Sequence, residues 1–138
     1  MAYISGHSIG CKLGATSSTL LLVKGLETAK ASFSPEYGQI LVKSMEGKPE
    51  DQLEGGKLTI SLGGKMSSLE TGDSTTMMDY TTVRTAAKAG TNMYFSYGTG
   101  TSDITGVGKI KGYDDDSDSK KSPASWSATL EVYFDDID

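Results

Sequence analysis

The sequence predicts a mainly β fold, a β-sandwich of about seven strands with one packed α-helix, in a single domain over residues 1–138. Three observations favour this class. Several segments alternate apolar and polar residues with the period of two that an extended chain produces. One segment carries the three-to-four-residue spacing of an amphipathic helix. Seventeen glycines supply the turns that many short strands require.

Segments 9–13, 20–23, 26–33, 57–66 and 92–97 each predict a strand because apolar side chains recur at alternate positions or form short runs. The clearest alternation closes the chain. Its apolar positions are Trp126, Ala128, Leu130, Val132 and Phe134, with polar residues between them. We therefore expect a half-buried strand there, paired through a polar loop at 114–122 with the glycine-rich strand 104–113.

The helix is predicted at about 74–89. Asp73, Ser74 or Thr75 can accept the free N–H groups of a first turn, and Gly90 provides a stop. One stripe of this segment combines Met77, Tyr80, Val83 and Ala87. That spacing predicts one helix face packed on the sheet.

A long, mostly polar segment, residues 35–56, interrupts the strands. It contains the apolar run 39–42 and then a charged stretch. Connections longer than about 12–15 residues are uncommon in compact domains and often functional. The sequence leaves two interpretations open: a short extra strand with a hairpin tip, or a loop that contacts a partner.

The residue types needed for catalysis or metal binding are scarce. The single histidine, His7, and the single cysteine, Cys11, cannot fill a zinc site. Asp114, Asp116 and Asp118 match the first positions of a calcium loop, but Ser119 and Ser125 replace the glycine and glutamate that such a loop needs. No Gly-Lys pair has the spacing of a phosphate loop. We expect no catalytic, cofactor-binding or metal-binding residue and no enzymatic activity.

The bulk composition excludes several further classes. The net charge is −5 and Arg84 is the one arginine, which disfavours a phosphate-reading surface. A single cysteine excludes an internal disulfide. The longest apolar run, Leu20–Val23, is too short to span a membrane, and the N-terminus lacks the pattern of a signal peptide. These features predict a soluble protein made in the cytoplasm, with a thin core suited to an assembly subunit.

The order of the predicted strands and helix resembles that of a known protein family. The residues concerned are Leu26–Phe33, Pro35–Gly56, the helix containing Met77–Tyr80, Met93–Tyr97, Ile104–Ile110 and Trp126–Phe134. In this order the chain resembles the major tail tube proteins of long-tailed bacteriophages. That resemblance implies a β-sandwich flanked by one helix, six copies joined sheet to sheet in a ring, and rings stacked into a hollow tube.

The resemblance also implies partners and a location. The tube of a virion tail, made in the host bacterial cytoplasm, contacts tape measure, terminator and initiator proteins, and genomic DNA passes through it without specific binding. A net acidic subunit suits a lumen that must not hold phosphates. In this family a long loop bridges stacked rings. The expected contact residues of that loop are Tyr37, Gln39, Ile40, Leu41, Val42 and Leu53.

Two rival functions stay open at the level of sequence. A monomeric β-sandwich could bind a glycan or a cell surface through exposed tyrosines, for which the candidates are Tyr3, Tyr37, Tyr94, Tyr113 and Tyr133. A tube subunit of a related injection machine would share the ring and differ only in its biological setting.

Overall fold

The computed structural model describes residues 10–41, 49–67, 69–70, 76–99, 103–116 and 124–138. They form eight strands, one α-helix and a short 3₁₀ helix. The strands are β1 (Gly10–Thr16), β2 (Thr19–Val23), β3 (Leu26–Leu41), β4 (Pro49–Lys65), β5 (Met77–Met78), β6 (Asn92–Gly98), β7 (Ile104–Asp116) and β8 (Ser125–Tyr133), the helix α1 is Tyr80–Ala89, and the 3₁₀ helix is Phe134–Asp136.

All eight strands belong to one sheet, in the order β3-β4-β8-β7-β6-β1-β2-β5. Neighbouring strands are antiparallel except for the short parallel pair β2–β5. Only the turn Lys24–Gly25 separates β2 from β3, although these strands lie near opposite ends of the sheet order. The sheet therefore folds over on itself, and Tyr97 Oη on β6 donates to the Ala29 carbonyl on β3 at 3.5 Å. The predicted mainly β class with one helix is confirmed.

The core lies between the two halves of the folded sheet, with α1 against it. Strands β4 and β8 supply one row of buried side chains, and β1, β6 and α1 supply the opposing ones. The fully buried apolar residues with the largest side chains are Phe95, Leu13, Leu58, Ile60, Leu130, Val83 and Val132. Burial of this apolar surface is the main force that holds the two halves together.

Strand β8 follows the predicted alternation. Trp126, Ala128, Leu130 and Val132 are buried, whereas Ser127 and Tyr133 are exposed. The ring of Trp126 is 2% exposed and stacks on Tyr113, with 6.3 Å between ring centroids. The predicted strand ends one residue early, because Phe134 begins the 3₁₀ helix.

The helix begins later than the sequence predicted. It starts at Tyr80, and the predicted caps Asp73, Ser74 and Thr75 lie outside the described residues. The N-cap is Asp79, whose carboxylate accepts from the Thr82 backbone N–H at 3.3 Å and from the Thr81 hydroxyl. The Thr81 hydrogen bond is the main reason why the pKa of Asp79 is lowered. Gly90 ends the helix in the left-handed conformation, as predicted.

The spacing of Met77 explains why the predicted helix began too early. This residue shares the helical spacing of the stripe, yet Met77 and Met78 pair in parallel with Leu22 and Val23 of β2. A periodic pattern cannot separate a helical turn from two strand residues that happen to extend it. Within the helix, Val83 and Ala86 are the buried residues.

For residues 35–56 the sequence left open an extra strand with a hairpin tip or a long contact loop, and the structure shows that both ends of this segment are strands. β3 continues to Leu41 and β4 begins at Pro49, with register pairs from Pro35–Gly56 out to Leu41–Pro49. The segment is thus a β-hairpin arm (residues 35–56), continuous with the two central strands of the body. Residues 42–48 lie outside the described part of the chain.

Replacing Trp126 by alanine should destabilise the fold by about 3–5 kcal/mol, because the change leaves a large cavity in the core. Urea unfolding followed by circular dichroism measures the change. Ser127→Ala is the matched control, since Ser127 lies on the same strand but is exposed. Equal stability of the two variants would contradict the core position of Trp126.

Candidate self-assembly surface

The arm leaves the body at a bend built into both strands. In β3, the register shifts between Glu36 and Tyr37, and in β4, Gly55 and Gly56 have φ values of 138° and 149°. Residues that carry a side chain rarely adopt positive φ, so glycine is strongly favoured at both positions. A register shift of this kind bends the strand and increases its twist. The direction of the arm is therefore set by backbone geometry.

Gly56 also permits a close contact. A Cβ atom at this position would lie 2.6 Å from the Ser34 carbonyl oxygen and 2.8 Å from the Phe134 ring. The Phe134 ring packs in turn against Phe33, with 6.1 Å between centroids. The 3₁₀ helix after β8 thus supports the arm where it begins.

The end of the body beneath the arm exposes large apolar side chains. Across the described chain, the exposed large hydrophobic residues are Leu22, Phe33, Tyr37 and Tyr133; Tyr37 belongs to the arm, and Phe33 and Tyr133 lie close to its base. Lys57 Nζ lies 5.7 Å from the centroid of the Tyr133 ring. Large exposed apolar side chains near the base of the arm are candidates for contact with other proteins.

The predicted contact residues of the arm now have positions. Tyr37 is 60% exposed and pairs with Leu53, while Gln39, Ile40 and Leu41 pair with Asp51, Glu50 and Pro49. The hairpin therefore brings Tyr37 and Leu53 together. Val42 lies outside the described residues. A contact between these residues and another ring stays a prediction.

Strand β3 also presents an edge. It is the terminal strand of the sheet order, and β4 is its one strand partner among the described residues. The opposite row of backbone N–H and C=O groups therefore lacks a strand partner. Such an edge is a template for another strand. This edge could not be predicted from the sequence, because strand order depends on contacts between distant residues.

The structure also locates the residues that were considered for catalysis or metal binding. Burial raises the pKa of the Cys11 thiol to about 12, so it stays protonated at neutral pH. His7 and Asp118 lie outside the described residues, and Asp114–Asp116 end strand β7. Among the described residues, no cluster of three or more His, Cys, Asp or Glu side chains could hold a metal. No helix in this part of the chain is long and apolar enough to cross a membrane.

The candidate tyrosines of a binding module are separated by the fold. Tyr113 stacks on the buried Trp126, and Tyr94 is partly buried on β6. Tyr37 and Tyr133 remain exposed at the base of the arm, and Tyr3 lies outside the described residues. Tyr37 thus lies on the edge strand β3, whereas Tyr133 lies on β8, which β4 separates from β3.

No protein-family model and no curated protein matches the chain, but solved structures do. A chain in the tail of an empty GTA particle, refined as a helix with C6 symmetry, matches with a TM-score of 0.70 and 19% identity over 94% of each chain. A chain of the native gene transfer agent virion matches with a TM-score of 0.68 and 19% identity, again over 94% of each chain. The SPP1 tail tube matches with a TM-score of 0.67 and 11% identity, over 95% of this chain and 78% of that chain. The chain therefore has the fold found in these tail structures.

Gly56→Ala should destabilise the protein by about 1–3 kcal/mol more than Gly55→Ala. Both changes place a side chain at positive φ, but only Gly56 adds overpacking against Ser34 and Phe134. A Cβ at Gly55 meets no atom within 4 Å, which makes that variant the matched control. Thermal unfolding gives both values, and a Gly55 variant as unstable as the Gly56 variant would contradict the close contact.

Proposed function

We propose that this protein is a structural subunit of a phage-like tail tube, in which copies form rings and the rings stack around a lumen. The observation that carries the proposal is the fold match over nearly the whole chain to chains of tail structures, one of them with C6 symmetry. The subunit has no catalytic role in this proposal. Its location is the tail of a particle assembled in a bacterial cell.

The structure offers two means of assembly. The unpaired edge of β3 can extend the sheet into another copy, and pairing removes the aggregation hazard that a free edge presents. The hairpin arm reaches beyond the body, so it can contact a copy in the next ring. Each use relates two different surfaces of the same chain. Contacts of that kind generate rings or helices rather than closed dimers.

Further partners follow from the tube. A hollow tail tube holds a tape measure protein during assembly, meets terminator and initiator proteins at its ends, and conducts DNA. The low density of basic residues supports passage without specific binding. The alternative, a monomeric glycan-binding module, is not favoured, because the fold match is to tails and two of the candidate tyrosines are partly buried.

Shortening the arm should prevent ring stacking and leave the body folded. The design removes residues 39–51 and joins Gly38 to Gln52, which are register partners, through an Asn-Gly turn suited to a two-residue hairpin. Because the core contains no described residue of the arm, thermal unfolding should change little. Electron microscopy should show rings or small oligomers in place of tubes. Tubes of normal length would contradict the role of the arm.

A proline pair tests the β3 edge. In an antiparallel strand, successive residues direct their N–H groups to opposite sides, so one of Ala31 and Ser32 donates towards β4 and the other towards the free edge. We expect one of the variants Ala31→Pro and Ser32→Pro to keep a near-normal melting temperature and yet fail to assemble. The other should lose stability, since it breaks a hydrogen bond to β4. If the stable variant assembles normally, the β3 edge is not an assembly surface.

A further inference from the structure

A second sheet edge lies open on β7. The pairs with β6 cover only Ile104–Lys109, whereas the pairs with β8 cover Lys109–Asp116. Beyond Lys109, β7 therefore has β8 on one side and, within the described residues, no strand on the other. Gly112 on this stretch is exposed, and a Cβ there would meet nothing within 4 Å. The backbone of this edge is open to an incoming chain.

The helix converts this edge into a groove. Residues Arg84, Ala87 and Lys88 of α1 face Ile110–Tyr113 of β7 across a cavity of about 310 Å³. The Arg84 guanidinium is held there by Asp115, at 3.3 Å, and by the Tyr80 ring, whose centroid lies 5.5 Å away. Its side chain is still half exposed. The groove thus has apolar walls from Ala87 and Ile110 and a basic rim.

We propose that this β7–α1 groove receives strand β3 of a second copy of the chain. The inference rests on the proposed function and specifies the surface that joins one subunit to the next. Three features of β3 fit the groove: strand direction, charge and one exposed aromatic side chain.

Strand direction is the first. In the unit β3-β4-β8-β7 every neighbouring pair is antiparallel, so β3 and β7, its two outer strands, run in opposite directions. Rotation about an axis parallel to the strands preserves their directions. The β3 strand of the next copy therefore meets β7 in antiparallel orientation, and the alternation continues through the joint. A unit with an odd number of such strands would give a parallel joint.

Charge is the second. The groove rim carries Arg84, Lys88 and Lys111, of which Lys88 and Lys111 are exposed. Strand β3 carries two exposed carboxylates, Glu27 near its start and Glu36 at the base of the arm, each beside a register shift, and the exposed Lys30 lies between them. Lys88 and Lys111 can pair with Glu27 and Glu36, and Lys30 can pair with Asp114 of the β7 edge, which favours the head-to-tail contact. The two carboxylates disfavour pairing of two β3 edges, which would bring like charges together.

The third is Phe33. It pairs with the buried Leu58 and so points to the core side of the sheet, yet it is 53% exposed because β3 is the edge strand. Ala29 and Ala31 precede it on the same side. These side chains are small, so in residues 26–34 of β3, before the arm begins, Phe33 is the one large apolar side chain that is exposed. In the groove, Phe33 would bury its free face against Ala87, Ile110 and the stem of Lys88.

Cross-linking between separately prepared subunits tests the contact. Phe33→Cys protein is mixed with Lys88→Cys protein under assembly conditions and treated with a short bismaleimide. The buried Cys11 thiol, which stays protonated, should not react. We expect covalent dimers that contain one copy of each variant. The control mixture pairs Phe33→Cys with Lys12→Cys, since Lys12 is exposed on β1 away from the groove, and it should give none.

A matched pair of substitutions gives an independent readout. Phe33→Ser should raise the concentration needed for assembly about tenfold or more, the effect typical of a central interface aromatic. Leu22→Ser is the control because Leu22 is also an exposed apolar residue, at 37%, but it lies on β2, outside the groove and away from the arm. Both variants should have melting temperatures close to that of the wild type.

The possible outcomes distinguish a failure of the groove proposal from a failure of the tube proposal. If wild-type tubes form but the 33–88 cross-link is absent and Phe33→Ser assembles normally, the groove is not the joint and the tube proposal stands. If the wild-type chain assembles under no condition, the proposed function fails and the inference fails with it. Cross-links confined to the 33–88 mixture, together with weak assembly of Phe33→Ser, support the inference.

Discussion

The packing of one sheet face against itself is the constraint on which the rest of this structure depends. The chain can bury Leu58, Ile60 and Leu130 only if the sheet folds over and brings β4 and β8 against Leu13 and Phe95. A folded sheet that does not close keeps two edges. Here the terminal strands are β3 and the two-residue β5, and within the described residues β7 beyond Lys109 also has no strand on one side. The need for a core thus generates the surfaces that we assign to assembly.

The same constraint explains why the arm is a hairpin and not a loose loop. Strands β3 and β4 pair through the body, and the ladder simply continues outward to Leu41 and Pro49. Outside the body there is no core to bury, so backbone hydrogen bonds sustain the pairing. The bend at Gly55–Gly56, supported by the Phe134 ring, directs the arm away from the sheet. Core, edge and arm are consequently parts of one continuous pair of strands.

The sequence predicted the elements whose faces differ in polarity and missed those whose faces do not. Strand β8 alternates buried and exposed residues, and its pattern was visible directly. The arm strands carry polar residues on successive positions, as in Glu50–Gln52, so the period-two signal is absent. The helix start was wrong because Met77 and Met78 extend the apolar stripe but pair with β2. Asp79, the true cap, could have been recognised from the threonines that follow it.

The candidate surface was only partly accessible to sequence reasoning. The length and polarity of residues 35–56 predicted a segment with a role outside the core, and Tyr37 and Leu53 proved to be register partners. The free edges and the β7–α1 groove could not be predicted. They depend on which strands become neighbours, and that choice is made by packing between buried residues such as Ile60 and Leu130, which lie far apart in sequence.

The central claim is that this chain assembles with copies of itself into a tube. Light scattering of the purified protein across a concentration series, with negative-stain images of the same samples, tests it most directly. The account predicts a sharp rise in mass above a threshold concentration, together with ring-shaped or tubular particles of uniform width. A monomer that persists to the highest concentration, with no rings in the images, would contradict it.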